Sequence, residues 1–518
     1  MRPFDAPRPT SYAPLPPAIG PARARTLDLP PGPRSPLGVG PLLRFQRDTP
    51  GFLMRLRAEH GDAASFLLGR QLFVALFAPA MVNDALVARQ HDLVKGVGFA
   101  RMRLVLGEGL LTNEEPVHLR HRRMMQAPFH HSRLDGYAAL MADLAREEVA
   151  RWRPGEVVRL APAMMALTLE IVARTLFGTD ARAHAGRIAH AMDVAIDRIE
   201  RTMLPGLDRL DRVPLPWFAA FRRAADDLAE VAEGLVAERR ARAAAAGGSG
   251  DVAPVDVATA RREEDLLGLL LALRDEDGSA FSDDEVRDEA LTLILSGHET
   301  TANVLTWAFS LLAAHPEVRD ALEAEADAQD WLDGDRAPTV AELMAAPVAG
   351  WILDETLRLC PPVWVAPRRA VVDTELGGVP VPAGAHVLVS QYVTHRDPAH
   401  FPDPERFDPW RWRDGLERRL PRGAYVPFGG GTRRCLGDQF ALLEGRAILL
   451  AAARRVRLEP VDPARPLPAA QPRATYRARG PVPLRVVARA PGGGPRTGGG
   501  RPGPRRQHAG DRRGRYRT

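Results

Sequence analysis

Residues 428–437 read Phe-Gly-Gly-Gly-Thr-Arg-Arg-Cys-Leu-Gly and lead directly into an apolar helical pattern from Asp438 to Arg455. Cys435 therefore sits among four glycines, two arginines and the start of a helix. Adjacent cations, the N–H groups of a Gly-rich turn and the positive end of the following helix each favour thiolate over thiol. Glycines at 429–431 and 437 also let the backbone approach a flat ligand closely. The other cysteine, Cys360, has no such surroundings and reads as a buried, inert thiol. Two cysteines cannot make a disulfide framework, which excludes a stapled secreted scaffold.

Upstream of this loop, residues 283–314 are free of proline, contain one glycine and are apolar on most faces. Such a helix must be buried nearly all round and run through the centre of the protein. Within it, Ser296-Gly297-His298-Glu299-Thr300-Thr301 accepts a glycine, at a cost of about 1 kcal/mol relative to alanine, beside an acid and an alcohol. A Thr hydroxyl there competes for backbone carbonyls, and the glycine leaves room for a small ligand. A second helix starts at Pro347 and stops at Cys360-Pro361-Pro362, with Glu355 and Arg358 one turn apart; an exposed pair of this kind contributes only about 0.3 kcal/mol. Strand-like pieces follow at Arg369–Val372 and Ala385–Val393, then a Pro-rich meander at Asp397–Trp412. Toward the N-terminus most segments read as amphipathic helices, for example Arg133–Trp152, with a strand pair over Ala63–Phe77 and a flexible connection at 243–260. The fold class is mainly α with smaller β-sheets, built around one long central helix.

Composition is ordinary for a soluble globular protein with a substantial core: 518 residues, 45% hydrophobic and 26% charged. No stretch reaches the roughly 18 apolar residues of a membrane span, and the N-terminus lacks the apolar core of a signal peptide, so the expectation is a cytoplasmic protein. The net charge of +5 sits at the end: Pro491–Thr518 carries eight Arg and one Asp, +7, leaving the first 490 residues at −2. That tail is rich in Gly, Pro and Arg and reads as a disordered, solvated extension, with a phosphate-binding arm as the alternative; no nucleic-acid partner is expected. Residues 1–36 read as a Pro-rich arm and 489–518 as the tail, with 37–488 as the folded body between them. Lys95 is the only lysine in the chain.

The spacing Phe428, Gly431, Arg433, Cys435, Gly437 resembles the haem-binding loop of the cytochrome P450 monooxygenases. The resemblance implies the fold of that family, with its long central helix over a haem b whose axial ligand is the Cys435 thiolate. It also implies that Arg433 pairs with a haem propionate and that Phe428 packs near the ligand. Glu355 and Arg358 are similar to the family's E-x-x-R pair, with Arg406 expected to complete a structural Glu-Arg-Arg cluster. The Ser296–Thr301 segment resembles the oxygen-activation motif, in which Thr300 would bond dioxygen and Glu299 would deliver protons; Ser296 departs from the usual Ala or Gly, and His298 reads as a packed histidine. His118, Arg122 and Arg368 stand where the family contacts the propionates.

The implied activity is insertion of one oxygen atom of dioxygen into a hydrophobic substrate such as a fatty acid, terpenoid or carotenoid, with electrons from a separate ferredoxin or flavodoxin and its NAD(P)H reductase. The alternatives are a peroxide-driven peroxygenase of the same fold, against which Glu299 and Thr300 argue, and a haem-binding sensor. The substrate pocket is expected from residues 90–112, 203–218, Leu295 and Val363–Ala366.

Overall fold

The computed structural model describes residues 15–33, 35, 38–69, 71–126, 129, 131–178, 187, 191, 194, 216–245, 266–275, 277–334 and 336–489. The expectations for residues 1–14, 203–215, 246–260 and 490–518 lie outside them. A five-stranded sheet contains β1 (Ala63–Leu68), β2 (Gln71–Leu76), β3 (Leu93–Lys95), β4 (Ala366–Ala370) and β5 (His386–Val389), in the order β1-β2-β5-β4-β3. Only the β2–β5 pairing is parallel. The described part of the N-terminal arm lies along this sheet: Leu72 N–H donates to the Ile19 carbonyl, Ser65 N–H donates to the Pro31 carbonyl, and Ile19 is buried in the sheet's apolar core. The strand expected at Ala385–Val393 stops at Val389, because Ser390 caps a helical turn at Gln391–Thr394 by accepting from Val393 N–H.

Six helices position the site: α1 (Val117–Met125), α2 (His131–Ala150), α3 (Leu160–Phe177), α4 (Asp283–Ala314), α5 (Pro347–Leu359) and α6 (Asp438–Arg455). The expected bounds of α4, α5 and α6 coincide with the observed ones. At the start of α4, Ser282 and Glu285 form a reciprocal capping box, and Asp283, Asp284 and Glu285 place negative charge on the positive end of the helix. The helix then runs for 32 residues through the main core, packed against α3, α5 and α6. A hairpin of β6 (Ala470–Pro472) and β7 (Tyr476–Ala478) crosses near its middle.

Around α5 the structure corrects the Glu-Arg-Arg expectation. Glu355 and Arg358 are fully buried and bidentate, with Arg358 Nε and Nη2 at 2.9 and 2.8 Å from the carboxylate. The second guanidinium comes from Arg411, whose Nε is 3.0 Å from Glu355 Oε1, while Trp412 Nε1 and Asp408 N–H donate to the same carboxylate. Arg406 offers this cluster only its backbone carbonyl, to Arg358 and Arg411, and its side chain is exposed. The meander turns at Pro409–Trp412, which carries Arg411 inward and leaves Arg406 outside.

Candidate functional site

The loop before α6 is closed by Cys435 N–H donating to the Phe428 carbonyl at 2.8 Å. Gln90 fixes it from the side, its Oε1 accepting from Thr432 N–H and Oγ1. Gly431 adopts φ +65°, and a Cβ there would lie 2.4 Å from the Leu86 carbonyl oxygen, so both backbone conformation and space require glycine. Gly437 has an ordinary φ; its backbone N–H instead hydrogen-bonds the Cys435 sulfur.

Cys435 opens onto a cavity of about 1360 Å³ with a mostly apolar lining, which Phe428, Arg433, Gly437, Gly297, Glu299 and Thr300 share. The expected acidification of the thiol is not found. Burial pushes it up to about 11, outweighing the Gly437 N–H and the nearby Arg122 and Arg434 guanidiniums. Its exposed surface faces this interior cavity rather than bulk water. A metal ion on the sulfur reverses the balance, because a coordinating thiol is deprotonated outright. Cys360 is buried outside the cavity lining and pushed up to about 12 by burial.

One end of the cavity is cationic. Arg368 and Arg433 line it beside Lys95, and the nearby carboxylate is Glu114, which pairs with Arg433 and accepts from Lys95 N–H at 2.6 Å. Burial, with both arginines adding to it, lowers Lys95 to about 7. Burial, followed by the charges of Lys95, Arg433 and Arg122, lowers His118 to about 3, so that this ring is neutral. Three basic side chains thus face one carboxylate, and Arg433 Nη1 is buried without a hydrogen-bond partner. A planar group bearing two carboxylates and a metal that accepts a soft thiolate fits this arrangement, as haem does. Arg122 also lines the cavity and donates to the Arg434 carbonyl at 2.7 Å, tying α1 to the Cys435 loop. Glu114 was not among the sequence-derived candidates, and Lys95 entered only within the 90–112 pocket segment; the one further signal was a single lysine in a chain that otherwise uses arginine.

On α4 the Thr300 hydroxyl donates to the Ser296 carbonyl at 2.8 Å, and Ser296 and Thr301 make the same bond one turn back. The helix nevertheless continues without a break. Gly297 lines the cavity and also faces α3, where a Cβ would meet a Val172 methyl at 2.9 Å. His298 is packed as expected: it is buried away from the cavity, with Nδ1 against the Ile294 carbonyl and its pKa lowered by burial. Glu299 faces the cavity and accepts from the Thr475 hydroxyl at 2.7 Å. Of the expected substrate contacts, Phe99, Met102, Leu110, Leu111, Leu295 and residues 363–366 line the cavity.

A family model described as Cytochrome P450 matches residues 30–478. The chain is 37% identical over 414 residues to the cyclooctat-9-en-7-ol 5-monooxygenase of Streptomyces melanosporofaciens, a match covering 79% of this chain and 85% of that one. It is 32% identical over 458 residues to the pentalenene oxygenase of Streptomyces avermitilis, covering 88% and 96% respectively. Among solved structures, the heme domain of cytochrome P450DA superposes with a TM-score of 0.74 at 26% identity, over 89% of this chain and 98% of that one.

Proposed function

The chain belongs to the cytochrome P450 family and is a haem-thiolate monooxygenase, and from that premise we propose that residues 37–488 hydroxylate a polycyclic terpenoid, using Cys435 as the haem ligand. The observation that carries the assignment is one cavity holding the Cys435 sulfur, a cationic end and the Glu299–Thr300 pair behind a mostly apolar wall.

Bound through a thiolate, the haem supplies the electron push that favours cleavage of the O–O bond. The protein's own groups hold and protect it. Arg433, Arg368, Lys95 and Arg122 supply the charge that balances two propionates, with His118 beside them. The Gly437 N–H donates to the sulfur and tempers its electron donation. Glu299, at the cavity wall, holds a proton that its carboxylate passes toward the reacting oxygen, and the Thr300 hydroxyl orients that transfer. Leu295, Phe99 and residues 363–366 exclude water and bind the substrate through apolar contact.

Two relatives are named for carbocyclic substrates, cyclooctat-9-en-7-ol and pentalenene, which supports a terpenoid ahead of a fatty acid or carotenoid. Electrons come from a redox partner; a separate ferredoxin or flavodoxin with its reductase, in the cytoplasm, is our reading of that partner. No helix among the described residues is long and apolar enough to cross a membrane. The test is a panel of cyclic terpenes, linear fatty acids and carotenoids, scored by substrate-induced haem spectral shift and then by ferredoxin-supported turnover. A product heavier by one oxygen atom from a cyclic terpene supports the proposal. Turnover of fatty acids alone, or turnover with peroxide but not with ferredoxin and dioxygen, contradicts it.

A further inference from the structure

The β6–β7 turn is fastened to the central helix along a single line. Glu299, Asn303 and Trp307 recur every four residues and so share one face of α4. Asn303 Nδ2 donates to Thr475 Oγ1 at 3.2 Å, Thr475 Oγ1 donates to Glu299 Oε1 at 2.7 Å, and Trp307 Nε1 donates to the Tyr476 carbonyl at 3.3 Å. A hydroxyl carries one proton, and the asparagine amide already occupies one lone pair of its oxygen. The Thr475 proton is therefore committed to the glutamate. At 2.7 Å this is a full-strength O–H···O hydrogen bond, which holds the glutamate oxygen in place.

The turn is also held from its other side. Trp364 Nε1 donates to the Arg473 carbonyl at 2.7 Å, Tyr476 N–H donates to the Pro362 carbonyl at 2.9 Å, and Arg473 N–H closes the turn on the Thr475 carbonyl at 3.0 Å. The hydroxyl thus stands on backbone braced by two separate segments, and Thr475 itself lines the cavity. A glutamate side chain with three rotatable bonds gains a fixed direction from such a partner, at the point where proton transfer depends on direction.

We infer that Thr475 is a positioning residue whose hydroxyl fixes the Glu299 carboxylate at the cavity wall for proton delivery. The inference rests on the reading that Glu299 carries protons, and Glu299→Gln tests that reading separately. Thr475→Val, Thr475→Ser, Glu299→Gln and Thr475→Val combined with Glu299→Gln are compared as holoenzymes, measuring product per electron, the substrate-induced spectral shift and, by crystallography, the direction of the Glu299 side chain. Thr475→Ala replaces the valine variant if the latter fails to hold haem.

Thr475→Val is expected to lower product per electron by about threefold to tenfold, as for a proton donor loosened rather than removed, with substrate affinity nearly unchanged and the Glu299 carboxylate turned away. Serine is expected to restore wild-type coupling, and valine to add nothing in the Glu299→Gln background. If Glu299→Gln uncouples while Thr475→Val does not, or if valine has its full effect without the glutamate, the positioning role is overturned. If Glu299→Gln itself keeps wild-type coupling, it is the proton role of Glu299 that fails.

Discussion

Arg411 Nε lies 3.0 Å from Oε1 of Glu355, and that contact makes Arg411 the second guanidinium on a carboxylate with no exposure to water. Removing it leaves Glu355 short of a partner in a site where Arg358, Trp412 and the Asp408 N–H already converge. Arg411→Ala is expected to cost about 3–5 kcal/mol and to lower the haem content of the purified protein, whereas Arg406→Ala stays within about 0.5 kcal/mol of the parent. Thermal melting of the two variants checks this. A larger loss from Arg406→Ala would restore the arrangement expected from the motif.

A second buried ion pair links α1 to the start of α4. His121 Nδ1 is 2.6 Å from Glu289 and Nε2 is 3.1 Å from Glu285. Burial lowers the His121 pKa, but the hydrogen bonds and charges of the two carboxylates overcome it and bring the group to about 9. The folded pKa is thus raised above the unfolded one, so the stabilisation is fully present below about pH 6.5 and is lost as pH rises through about 9. His121→Asn is expected to melt well below the parent at about pH 6, with the gap narrowing by about pH 9.5. A gap that is constant across this range would show that the ring acts by packing alone.

Thr300→Ala removes a hydroxyl and little volume, so haem content and substrate-induced spectral shifts should survive. With a ferredoxin and its reductase as electron source, the variant is expected to consume electrons while releasing more hydrogen peroxide and less hydroxylated product. Product per electron at the parent level would place the proton path elsewhere.

The parts of the architecture that were legible in the sequence are those with local causes. The central helix is long, apolar and free of proline, α5 begins at Pro347 and ends before two prolines, and the Gly-rich loop announces both Cys435 and α6. What escaped depends on distant packing. Arg406 and Arg411 are both plausible partners for Glu355 in one dimension, and only the turn at Pro409–Trp412 selects between them. Thr475 meets Glu299 across 176 residues of chain. The Cys435 thiol lies higher than its neighbours suggested, because desolvation by the surrounding fold outweighs every local feature that favours thiolate.

The central claim, that Cys435 is the haem ligand of a monooxygenase, is tested most directly by the carbon monoxide difference spectrum of the reduced protein. The parent and Cys360→Ala are expected to show the red-shifted band of a thiolate-bound haem, and Cys435→Ala to lose it while remaining folded, since Cys360 lies outside the cavity. Persistence of that band in Cys435→Ala would contradict the assignment.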